Sequence, residues 1–313
     1  MRAAVAEAFG GPDRLVVRDV PTPSPGPGEV LVRVRAASMN PLDVKLRQGR
    51  FRLIWRLEPP VVLGFDVAGE VEAVGPGVGR LRAGDAVFGE LPRPGAHAEY
   101  AVAAEEHFLP KPARLSFEEA AAIPAAGMSA LQALRDHARL RPGQRVLLNG
   151  AGGGIGTFAI QLAKAEGAWV TAVASARNQD LLRELGADEC VDYAREDFAR
   201  REGAFDAILD IVPNRSFPEC RRALAPGGAY VTALPGPGPY LWRALTALPL
   251  FGGRRCRALL LVPKRSDLEV LARLVEAGKL RPVVGEVFPL DAIREAHARM
   301  ESGHARGKIG VRP

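Results

Sequence analysis

The sequence is poor in the features that would take it out of an ordinary globular class. No apolar run approaches the roughly 18 to 20 residues that cross a bilayer, and Met1 to Phe9 mixes small, charged and apolar residues where a leader would place a charged and then an apolar stretch. A membrane span and a secretory leader are not expected, and the cytoplasm is the expected location. Cysteine is scarce. Cys190, Cys220 and Cys256 lie 30 and 36 positions apart, which excludes a disulfide framework and the close pairs of a zinc site and leaves buried thiols. Lysine is scarce too: only six of the 42 basic residues are lysine. The net charge of +6 comes from arginines interspersed with 36 acids, without a basic block or interleaved aromatics, so a nucleic-acid surface is not expected. An anionic cofactor would still profit from the surplus. His97, His107, His137, His297 and His304 each lack a cysteine or second histidine at ligand spacing.

What is present is an organisation in two parts, as expected for 313 residues. The first third alternates short strand patterns with Gly/Pro punctuation. Met1 to Phe9, Val30 to Ala36, Asp66 to Val74, Asp85 to Phe88 and His97 to Val102 are separated by stretches such as Pro21 to Gly28 and Gly75 to Gly79, and predict a β-barrel-like domain. Ser116-Phe-Glu-Glu119 has capping-box form and opens a helical segment. From Arg145, buried strands alternate with helices: Val146 to Leu148, a helix to Ala165, Val170 to Val173, a helix to Leu185, Cys190 to Val191, Ala207 to Leu209, a helix to Leu224, and Tyr230 to Thr232. That succession predicts an α/β, doubly wound parallel sheet. Leu259 to Val262 continues as a strand, and Ser266-Asp-Leu-Glu269 reads as a second capping box. The expected domains are 1–118, 119–262, and a return of 263–313 to the first. There is no internal repeat and no low-complexity tail.

Directly after the Val146 to Leu148 strand stand Ala151, Gly152, Gly153, Gly154, Ile155 and Gly156, followed by a helical pattern. Aligned on its last glycine this is a dinucleotide fingerprint with alanine in place of the first glycine. The turn must be tight, Gly153 lets backbone approach a pyrophosphate, Gly156 lets helix and strand pack closely, and the helix start attracts anions. The next strand carries no carboxylate at its tip, where one would hold a ribose 2'-hydroxyl and repel a 2'-phosphate. It ends in Ser175, Ala176 and Arg177, which suit NADPH over NADH.

With these residues in view, the chain from Met1 to Arg312 resembles the zinc-free quinone oxidoreductase, or zeta-crystallin-like, branch of the medium-chain dehydrogenase/reductase superfamily. The segments that carry the resemblance are Ser38-Met-Asn-Pro-Leu-Asp43, Gly64-Phe-Asp-Val-Ala-Gly69, Gly84-Asp-Ala-Val-Phe88, Ala98-Glu-Tyr100, the glycine loop, Glu184-Leu-Gly-Ala187 and Gly303-His-Ala-Arg-Gly-Lys308. It implies a GroES-like catalytic domain beside a Rossmann domain, and a homodimer. Asn40 and Phe65 occupy the places where zinc-dependent relatives carry cysteine and histidine, and the structural-zinc lobe is missing between Phe88 and Gly95, so no metal is expected. The implied chemistry is hydride transfer to a quinone or an α,β-unsaturated carbonyl compound, with Asn40 as oxyanion donor and Asp43 supporting its loop. Arg306 and Lys308 are expected on the phosphate or nicotinamide side of the cofactor. Tyr193 is expected beside the adenine, Val212 and Leu234 along the sheet edge, and Leu261 and Val262 beside the nicotinamide. Phe51 to Leu57, with Trp55, and Tyr240 to Arg243 are candidates for pocket, dimer surface or core. Pro235 to Arg257 matches no family motif. A biosynthetic enoyl reductase and a non-enzymatic nucleotide- or RNA-binding protein stand as alternatives.

Overall fold

Side-chain alternation along Glu29–Ser38 builds the first unit. Val30, Val32 and Val34 are buried, while Arg33 and Arg35 face outward and pair with Glu72 and Glu70 of the neighbouring strand Asp66–Val74. The computed structural model describes residues 1–52, 56–212, 214–233 and 253–313. These form two compact units, one of Met1–Ala125, Pro263–Ala277 and Pro282–Pro313, the other of Ala126–Val262 and Gly278–Arg281.

In the first unit a seven-stranded sheet runs in the order Val284–Pro289, Lys308–Arg312, Glu29–Ser38, Asp66–Val74, Ala86–Glu90, Phe108–Pro110, with Tyr100–Ala104 also paired to Glu29–Ser38. All its pairings are antiparallel except the first. Leu15–Asp19, Arg2–Ala6 and Val61–Val62 make a smaller sheet. Valines of these strands join Phe65, Phe108, Ile309 and Val311 in one core. The register has a chemical consequence. Ser38 lies opposite Asp66, and Asp66 opposite Glu90, so three polar side chains share one row across three strands.

The second unit carries six parallel strands in the order Glu189–Asp192, Trp169–Ala174, Arg145–Asn149, Phe205–Asp210, Leu224–Thr232, Arg255–Ala258. Their interiors are nearly all apolar because helices cover both faces of such a sheet. The chain leaves Arg145–Asn149 toward one side and returns with Phe205–Asp210 on the other. Sheets of this kind hold ligands at the carboxyl ends of the two strands where the direction reverses.

Three expectations fail locally. The helix Arg265–Glu276 starts before Ser266 and is capped by Lys264, so Ser266 lies within its first turn and forms no capping box. The last parallel strand is Arg255–Ala258, not Leu259 to Val262, because pairing with Ala229 to Thr232 uses the earlier residues. The helix expected to reach Leu224 is only Phe217–Cys220, and Leu224 already begins a strand.

Candidate functional site

The glycine loop joins Arg145–Asn149 to the helix Gly154–Ala165. Its left-handed residue is Gly150, at φ +88°, and Ala151 stays outside that region, which is why alanine is accepted where the fingerprint usually has glycine. Two further glycines, Gly152 and Gly156, are required by close approach. A Cβ on Gly156 would lie 2.5 Å from the Cα of Ala151, and one on Gly152 would lie 2.7 Å from Asn178 Nδ2. Gly153 caps the helix without any side-chain bond, so no side chain competes for its first amides. Gly154 and Ile155 open that first turn, half-buried.

Beside the loop, Ser175 is half-buried and Arg177 exposed at the tip of Trp169–Ala174. Asn178, which sequence reasoning passed over, bridges the two features. It packs on Gly152, its Nδ2 donates to Ser175 Oγ at 3.3 Å, and its buried Oδ1 has no partner. A hydroxyl that accepts from Asn178 has its own hydrogen to donate elsewhere. An asparagine four residues past the strand end was the signal available.

Further along the same sheet edge, large apolar side chains stand in the open: Tyr193 is 53% exposed, Val212 48% and Val262 52%. Val212 abuts Gly150, where an added Cβ would come 2.6 Å from its Cγ2. Val262 is held at both backbone groups by Gln132, which donates to its carbonyl at 2.7 Å and accepts from its amide at 3.2 Å. Leu261 is half-buried. Leu234, Trp55 and Tyr240 to Arg243 lie outside the described residues. Below this edge Asn149 donates to Asp210 Oδ1 at 2.7 Å, and the Tyr230 hydroxyl lies 2.5 Å from Asp210 Oδ2 and 2.9 Å from the Arg215 carbonyl. Burial pushes the Asp210 carboxyl up to about 6, against the pull of these bonds. A helix start with no side-chain cap, a loop in which Gly150, Gly152 and Gly156 admit no Cβ, an orphaned buried amide oxygen and an open apolar edge together fit a nicotinamide dinucleotide.

The first unit holds a separate polar centre. Asn40 precedes the helix Pro41–Arg47, and its backbone amide donates to Asp43 Oδ2 at 2.7 Å, while Asp43 Oδ1 accepts from Gly64 N at 3.2 Å. Burial raises the Asp43 carboxyl to about 7 despite those amides. Lys308 is buried, with Nζ on the Met39 carbonyl at 2.9 Å, Asn40 Oδ1 at 2.6 Å and Asp66 Oδ2 at 3.1 Å. A phosphate contact by Lys308 would have to displace one of these three acceptors. Arg306 is exposed. Glu90, in the same row, is pushed well above the ordinary carboxylate range by burial and by Asp66. Two histidines the sequence offered no reason to pair, His97 and His297, lie buried edge to face with ring centroids 6.1 Å apart. Cys220 and Cys256 are buried free thiols and Cys190 is half-buried.

Two family models match the chain: an alcohol dehydrogenase GroES-like domain over residues 26–113 and a zinc-binding dehydrogenase over residues 185–311. The donor set does not fit zinc. Asp66 is neutralised by the Lys308 ammonium, the neighbouring Phe65 is apolar, and among the described residues no group of three or more His, Cys, Asp or Glu side chains is arranged to hold a metal. The chloroplast envelope quinone oxidoreductase homolog of Arabidopsis thaliana is 36% identical over 97% of this chain and 95% of that protein. The trans-enoyl reductase pgmF of Aspergillus terreus is 36% identical over 91% of this chain and 86% of that protein. The quinone oxidoreductase from Coxiella burnetii superposes with a TM-score of 0.90 at 35% identity, covering 100% of this chain and 99% of that one. No helix among the described residues is long and apolar enough to cross a membrane. With a glycine-loop edge on one unit, a buried ammonium paired to Asn40 and Asp66 on the other, and relatives that match over nearly the whole chain, the chain belongs to the zinc-free quinone oxidoreductase branch of the medium-chain dehydrogenase/reductase superfamily.

Proposed function

We propose that this oxidoreductase uses NADPH and, without a metal, reduces a quinone or an α,β-unsaturated carbonyl compound. The observation that carries the proposal is the Lys308 ammonium on Asn40 and Asp66. A centre already neutralised by an ammonium has no donor set for a Lewis acid, so help to a developing oxyanion must come from a hydrogen-bond donor. That suffices for acceptors that take electrons readily and is poor help for an unactivated alcohol. When bound, the reduced nicotinamide supplies a hydride.

The chain's own residues do the rest. The loop from Ala151 to Gly156 receives the pyrophosphate on helix amides. Ser175 and Arg177 donate to the 2'-phosphate, with Asn178 orienting the Ser175 hydroxyl. Tyr193 lies along the adenine, and Val212, Leu261 and Val262 along the rest of the cofactor. Arg306 serves its phosphate side, and Lys308 acts on its nicotinamide side through Asn40. Asn40, its backbone held by Asp43, donates to the substrate oxygen. The location is cytoplasmic, and the active form is a homodimer, which sedimentation velocity tests.

Oxidation of NADPH with phenanthrenequinone, with an alkenal, and reduction of NADP by an aliphatic alcohol should show the first two active and the third silent, without added zinc. Turnover of the alcohol alone, or dependence on zinc, would refute the proposal. Arg177→Ala should raise KM for NADPH about tenfold to hundredfold and leave NADH unchanged. The trans-enoyl reductase relative favours a second reading, in which the natural acceptor is an enoyl thioester. An enoyl-thioester substrate preferred over quinone by kcat/KM would select it.

A further inference from the structure

The hydrogens of the polar centre can be counted. The Lys308 ammonium has three, and three acceptors take them: the Met39 carbonyl, Asn40 Oδ1 and Asp66 Oδ2. Asp66 Oδ2 also accepts from Ser38 Oγ and Asn40 Nδ2, both at 2.9 Å, and Oδ1 accepts from Ala125 N at 2.9 Å. Asn40 Nδ2 has two hydrogens and gives one to Asp66. Among the described residues the second has no acceptor, and it is carried by the half-buried member of a set in which Ser38, Asp66 and Lys308 are fully enclosed.

We propose that Lys308 and Asp66 are positioning residues that lock the Asn40 carboxamide so that its one uncommitted N–H is presented, in a single orientation, to the substrate oxygen. This rests on Asn40 being the oxyanion donor. The two ends of an asparagine amide have nearly the same shape, so its partners decide which way it faces. Here a flip would turn N–H groups toward an ammonium and set an oxygen against a carboxylate, and both contacts are repulsive. The ammonium on Oδ1 also draws electron density from the amide and strengthens the remaining N–H as a donor. Asp43 fixes the backbone of the same residue, so main chain and side chain are held from two directions. A donor fixed before the reaction needs no reorganisation when negative charge develops, which is the condition for lowering the barrier. Lys308 thereby acts through Asn40, with no contact of its own to the reacting atoms.

The test is a double-mutant cycle with NADPH and phenanthrenequinone, reading kcat, both KM values and the affinity for NADPH alone. Asn40→Ala should lower kcat about tenfold to a thousandfold. Lys308→Met should lower kcat about tenfold or more, leave NADPH affinity within about twofold, and add nothing in the Asn40→Ala background, as expected for residues acting as one unit. Where Lys308→Met does not fold, Lys308→Met with Asp66→Asn, which removes both charges together, takes its place in the same cycle. Unchanged kcat on losing Lys308, or a loss that multiplies with that of Asn40→Ala, overturns the positioning role. Unchanged kcat in Asn40→Ala overturns the donor assignment beneath it.

Discussion

At the scale of single residues, the sharpest constraint is Gly156. A methyl there would meet the Ala151 backbone at 2.5 Å, and backbone cannot swing aside as a side chain can. Gly156→Ala is expected to cost about 1–3 kcal/mol of stability in denaturant titration and to abolish measurable coenzyme binding by fluorescence. Asp210 offers a titration. Tyr230 has one hydrogen for two acceptors, so a protonated Asp210 donating to Tyr230 lets the tyrosine satisfy the Arg215 carbonyl, and an ionised Asp210 does not. Tyr230, Cys220, Glu219 and Arg215 face this carboxyl. Its folded value is raised, so this stabilisation is complete below the ordinary carboxylate value and fades as pH rises through about 6. Stability should therefore fall across that window in the wild type and stay level in Asp210→Asn, measured by denaturant titration at several pH values. The glycines, Ser175 and Arg177 can be singled out in the sequence because the roles expected of them rest on local spacing. Asn178 was not, since its contact with Gly152 needs two turns folded against each other.

Among the elements, the capping box at Ser116 formed as its spacing predicts. Ser116 Oγ accepts from the Glu119 amide at 3.1 Å, and the Glu119 carboxylate accepts from the Ser116 amide at 2.8 Å. Ser116→Ala should lower stability by about 1 kcal/mol, read as a shifted denaturation midpoint. The similar string at Ser266 failed because the helix began one residue before it. A capping motif specifies the bonds available to a helix start but not which residue starts it, and pairing elsewhere decides that. The strands of the parallel sheet were legible as apolar runs, and their ends were not: Arg255–Ala258 pairs where Leu259 to Val262 looked the better strand.

For the whole molecule, the enclosed titratable groups set the response to pH. Burial lowers His97 to about 4, and burial with the neighbouring His97 lowers His297 further. Both fold as neutral rings, so the stability they contribute is complete above about 6.5 and lost as pH falls from there toward about 4, where the unfolded chain takes up protons and the folded one does not. The thermal midpoint should drop over that range, less steeply in His297→Leu, as differential scanning calorimetry would show. Asp43, raised to about 7 by burial, works in the opposite sense and removes stability as pH rises through that value.

What the sequence determined by itself was what local period and spacing carry: two kinds of domain, a glycine loop between a strand and a helix, and a strand tip without an acid. What only the tertiary structure decided was the company each side chain keeps. Lys308 lies 242 positions from Asp66 and 268 from Asn40, and strand pairing alone brings its ammonium to them. Hydrogen-bond geometry acts over about 3 Å of space and is indifferent to distance along the chain.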